Sequence, residues 1–86
     1  MDEKYNSLKK KLDEESVFPL KYMYKFIVPK EKVQELLPFF ETAEITTKKS
    51  KTGKYVSVSA IILAFNSEEI IKGYQSISHL EGIISL

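Results

Sequence analysis

Thr52-Gly53-Lys54-Tyr55-Val56-Ser57-Val58-Ser59-Ala60-Ile61-Ile62-Leu63 opens on a turn glycine and runs on as a long alternating pattern. Val56, Val58, Ala60 and Ile62 share one side and suit a core, while Tyr55, Ser57, Ser59 and Ile61 share the other. The stretch reads as a central strand. Just before it, Ser50 to Gly53 reads as the turn of a short, glycine-containing hairpin. The strand feeding that turn, Ala43 to Lys49, is rich in Thr and Lys with Ile45 as its one strong apolar residue. That composition suits a sheet edge guarded against aggregation.

Working outward, Ser16-Val17-Phe18-Pro19 breaks the chain, because proline biases the residue before it toward extended backbone. Leu20 to Val28 then alternates as a half-buried strand. Leu20, Tyr22, Tyr24, Phe26 and Val28 should face the core, and Lys21, Met23, Lys25 and Ile27 the other side. Pro29 suits the start of a helix, and Val33, Leu36, Leu37 and Phe40 follow at helical spacing. Pro38 removes a backbone donor, so the helix should stop or kink near Leu37, with Phe39 and Phe40 as packing residues.

A second helix is announced by Asn66 as its cap, by Glu69 three residues on, and by Phe65 and Ile70 as a hydrophobic staple. Ile70, Ile71, Tyr74 and Ile77 form its buried stripe. Gly73 falls on the outer side, where it should cost about 1 kcal/mol relative to alanine. A short strand, Ile83 to Leu86, closes the chain. Residues 1–16 read as a charged N-terminal arm, in which Tyr5, Leu8 and Leu12 make a three-residue apolar stripe. It is either a frayed tail or a helical arm against the domain or a partner.

The order strand, helix, strand, strand, helix, strand predicts an α+β, ferredoxin-like domain over residues 17–86, with both helices on one face of a four-stranded antiparallel sheet. The opposite face should be open and show Lys21, Met23, Lys25, Ile27, Thr46, Lys48, Tyr55, Ser57, Ser59 and Ile61. With Lys54 from the hairpin, Met23, Lys25, Ile27, Lys48, Tyr55, Ser57, Ser59 and Ile61 form the candidate contact surface.

These pieces resemble the YbeD-like family of small bacterial proteins, whose name is tied to proposed regulation of lipoate metabolism. The resemblance covers about residues 18 to 86. It rests on Phe18-Pro19, Tyr24-Lys25, Tyr74, Ile83 to Leu86 and above all the hairpin from Ser50 to Ser59. It implies a ferredoxin-like fold similar to the ligand-binding ACT regulatory domains, and it transfers no catalytic residue. Pro38 and a shorter first helix depart from the family pattern.

Composition narrows the chemistry. The chain has 86 residues, 43% apolar and 29% charged, with a net charge of +1. That is one small soluble domain, with too little charge for attraction to nucleic acid or membrane over its whole surface. All 13 basic residues are lysine and there is no cysteine, so neither an arginine fork for phosphates nor a thiolate metal site is available. His79, the one histidine, sits at the end of the second helix as a C-terminal cation or cap.

No catalytic pair, metal set, cofactor loop, signal peptide or membrane span is legible, which points to a cytoplasmic protein that is not an enzyme. The leading expectation is a regulatory or interaction module offering its open sheet face or an edge to a protein partner or small metabolite, with a homodimer through that face as a variant. The alternative is weak binding of RNA or single strands through the hairpin lysines Lys48, Lys49, Lys51 and Lys54 and through Tyr55. Aligned on Gly53, however, this strand keeps only the glycine of the RNA-recognition motif and lacks its stacked aromatics, which argues against nucleic acid.

Overall fold

The computed structural model describes residues 3–86. In chain order the elements are α1 (Glu3–Glu15), β1 (Leu20–Pro29), α2 (Val33–Leu36), β2 (Glu44–Lys49), β3 (Tyr55–Ala64), α3 (Ser67–Ile77) and β4 (Ile84–Ser85). The four strands form one antiparallel sheet in the order β2-β3-β1-β4. The architecture is α+β, and its strand order is compatible with the ferredoxin-like arrangement.

Alternation along the two central strands decides which face is covered. Tyr24, Phe26 and Val28 of β1 and Val56, Val58, Ala60 and Ala64 of β3 are buried, and they pack with Leu36, Phe40, Ile70, Ile77 and Leu12 into one core. The register puts Tyr24 opposite Ala60 and Phe26 opposite Val58, so each large ring on β1 faces a small or branched partner on β3. The rings interlock, with Tyr24 centred 4.8 Å from Tyr74, 5.0 Å from Phe40 and 5.9 Å from Phe26. Such pairs add stability beyond area burial.

The hairpin between β2 and β3 closes as its residues require. Gly53 takes a φ of +74°, and its N–H donates to the Ser50 carbonyl at 3.0 Å; glycine holds this left-handed backbone without a Cβ penalty. Around Pro38 the chain does not break. The α-helical turn of α2 gives way to a 3-10 helix over Leu37–Phe40, the tighter winding that accommodates the missing donor. Phe40 is buried there, whereas Phe39 is exposed and meets His79 edge-on at 5.7 Å.

The structure corrects some local expectations and bears out the cap of α3. Gly73 lies on the inner side of α3, where a Cβ would come within 2.2 Å of the Tyr24 hydroxyl. The glycine is there because the Tyr24 ring crosses α3 at that point and donates its O–H to the Ile70 carbonyl at 2.7 Å. Asn66 caps α3 by accepting from the Glu69 N–H at 3.0 Å, while the Glu69 carboxylate accepts from the Phe65 N–H at 2.6 Å. Phe65 itself remains 63% exposed and does not join the core. His79 lies past the end of α3 in a turn, and β4 is only two residues long.

The N-terminal stretch is helical from Glu3 to Glu15. Leu12 joins the core and Leu8 packs against it. The stripe at 5, 8 and 12 therefore has a place to dock.

Candidate functional site

The open face is assembled from alternate residues of all four strands. Register places Lys48, Ser57, Ile27 and Ile84 in one row, Thr46, Ser59 and Lys25 in the next, and Glu44, Ile61 and Met23 in a third. Tyr55 pairs with Pro29 at one end and Leu63 with Lys21 at the other. Met23 is 54% exposed, Leu63 54%, Ile84 56% and Tyr55 48%. Ile27, Ile61, Ser57 and Ser59 are half-covered by their neighbours in the sheet.

Two apolar groups result, Met23 with Ile61 and Ile27 with Ile84, separated by the row of Lys25, Ser59 and Thr46. Lys21, Lys25 and Lys48 against Glu44 alone make the face cationic. Such a surface can accept apolar side chains and carboxylates together.

Of the residues expected at this surface, the structure brings Met23, Lys25, Ile27, Lys48, Tyr55, Ser57, Ser59 and Ile61 onto one face. Lys54 is the exception, lying in the bend before β3, where its carbonyl accepts the Lys30 N–H at 3.0 Å. The hairpin lysines do not form one patch either. Alternation sends Lys48 to the open face and Lys49, paired with Val56, to the other, while Lys51 lies in the turn. Leu63 and Ile84 were not foreseen here. Leu63 was legible, being in phase with Ile61, but the face of Ile84 depends on the pairing of β4 with β1.

A second feature has no sequence signature. A cleft of about 490 Å³ runs between α1, α3 and the C-terminal segment, with Tyr5 and Leu8 on one wall and Tyr74, Ile77, Leu80 and Ile83 among the residues of the other. Of these, Tyr74 pairs its hydroxyl with that of Tyr22 at 2.6 Å. Burial, then the hydrogen bond to Tyr22, pushes the Tyr74 phenol well above its usual range. Burial also raises the Tyr24 phenol, with Tyr22 and Glu69 adding to it. Both are therefore neutral hydroxyls at ordinary pH. Among the described residues no group of three or more His, Cys, Asp or Glu stands together, and no helix is long and apolar enough to cross a membrane.

Comparison with curated proteins and with solved structures found no match. A family profile described as "Protein of unknown function (DUF493)" matches residues 13–86, a span that takes in every strand, α2, α3 and the whole open face. The chain therefore belongs to the DUF493 family.

Proposed function

We propose that the chain is a non-catalytic regulatory or interaction module of the bacterial cytoplasm, and that it binds a protein partner through its open sheet face. The observation that supports this reading is the exposure of Met23, Leu63, Ile84 and Tyr55 on one side of one sheet, set among Lys21, Lys25 and Lys48. Apolar side chains grouped this way on a small domain are costly to leave in water, and grouped exposed patches tend to be contact sites. The surrounding lysines favour a partner that carries carboxylates. The likeness to YbeD-like proteins lies mainly in the strand that supplies Tyr55, Ser57 and Ser59, and it supports a regulatory role.

The test is affinity capture with the wild-type chain and with a Met23→Ser, Ile61→Ser, Lys25→Glu variant, run with and without nuclease. The expected result is a discrete set of proteins lost from the variant and insensitive to nuclease. Retention of every partner by the variant would refute the open-face reading. Loss on nuclease treatment would instead indicate nucleic acid, whose binding must also weaken steeply with salt.

A further inference from the structure

The apolar stripe of α1 is only partly engaged. Leu12 is buried in the core and Leu8 packs against it, but Tyr5 is half-exposed on the wall of the 490 Å³ cleft. Among the described residues the polar contacts of α1 with α3 lie at the end near Leu12. There the Ser67 hydroxyl donates to Asp13 at 2.5 Å, and Lys9 bridges Asp13 at 2.7 Å and Glu68 at 3.4 Å. Toward its N-terminal end α1 leaves an apolar gap against Tyr74, Ile77, Leu80 and Ile83.

Two further facts bear on that gap. The family match begins at residue 13, so the groove wall belongs to the matched domain whereas α1 up to Leu12 lies outside it. A 13-residue helix is also marginal in water on its own, and exposed ion pairs of this kind contribute little. Leu12 and Leu8 are the anchors of the strap, and its N-terminal part is weakly held.

We propose that the groove between α3 and the C-terminal segment is a docking site for an amphipathic helix of a partner protein, and that α1 occupies it in cis as a displaceable strap. The chemistry of the partner is given by α1 itself. Large apolar residues at i, i+3 and i+7 match Tyr5, Leu8 and Leu12, a lysine at i+4 meets Glu68, and a carboxylate at i+8 accepts from Ser67. This surface lies on the opposite side of the sheet from the open face, so the two can be tested separately.

A labelled peptide with the sequence of residues 3–15 is titrated with the full chain by fluorescence anisotropy. The comparison is between wild type and a Lys9→Ala, Asp13→Ala variant, which loses the ion pair to Glu68 and the acceptor of the buried Ser67 hydroxyl and whose fold is checked by circular dichroism. If α1 competes in cis, apparent affinity scales with the fraction of open groove, and the loosened variant should bind about tenfold tighter. Adding Leu80→Lys to the loosened variant should abolish binding, with Leu80→Ser as the milder change if the lysine impairs folding.

Equal affinity of wild type and loosened variant, or no binding to either, would overturn the strap. Dimerisation of the loosened variant without peptide would show that the groove takes α1 of a second copy, and would overturn the assignment to a partner.

Discussion

The two faces of β1 differ by one residue of phase and by almost everything else. On one side Tyr24, Phe26 and Val28 have no exposed surface and stand in a connected set of rings. On the other, Met23, Lys25 and Ile27 sit one pleat away, exposed or half-exposed. The helix-covered layer carries the stability of the domain, so the open face can change composition with little effect on folding. That separation of roles makes the open face available for contact.

The widest gap should appear when adjacent residues of opposite phase are truncated. Phe26→Ala should cost about 4 kcal/mol through lost burial and the cavity left behind. Met23→Ser should stay within about 0.5 kcal/mol, as surface changes generally do. Urea denaturation of both variants checks the comparison. Comparable losses would mean that the open face is also packed in solution.

A smaller effect is expected where the covered face is tightest. Gly73→Ala should cost about 2 to 3 kcal/mol, because the new methyl must displace the Tyr24 hydroxyl from its bond to the Ile70 carbonyl. Removing that hydroxyl with Tyr24→Phe should make the Gly73→Ala change less harmful than it is alone. Additive losses in this double-mutant cycle would place the clash elsewhere.

The most gradual effect is set by pH. Below pH 10 the phenols of Tyr24 and Tyr74 are neutral whether the chain is folded or not, so their contribution is fully present. Above it the unfolded phenols ionise while the folded ones, raised by burial, do not. Stability should therefore fall as pH rises past 10, by about 1.4 kcal/mol per pH unit for Tyr24 alone. Absorbance at 295 nm should show part of the phenolate signal appearing only with the loss of circular dichroism. Full ionisation of all five tyrosines before any unfolding would contradict the burial of this pair.

Much of the fold was legible because the local signals agree. Alternation marked the faces of β1 and β3, Gly53 marked the hairpin, and Asn66 with Glu69 marked the start of α3. Lys54 lies in the bend before β3 and falls in phase with Val56, so neither its place nor its parity puts it on the open face. Gly73 was read as outward because its helical phase lies beside the buried stripe rather than in it. Only the crossing point of the Tyr24 ring turns that position inward.

Period-2 patterning determines by itself which residues of each strand share a face, since a strand has no other way to direct successive side chains. The composition of Met23, Lys25, Ser57 and Ile61 on the open face was therefore available from the sequence. Contacts between segments far apart in the chain were not. The pairing of Ile84 with Ile27, the Tyr22–Tyr74 hydroxyl pair, the glycine beneath Tyr24 and the docking of Leu12 join residues from distant parts of the chain or settle a helix with only three apolar side chains. Local propensity says nothing about such meetings. The sheet order and the packing of α1 on α3 decided them.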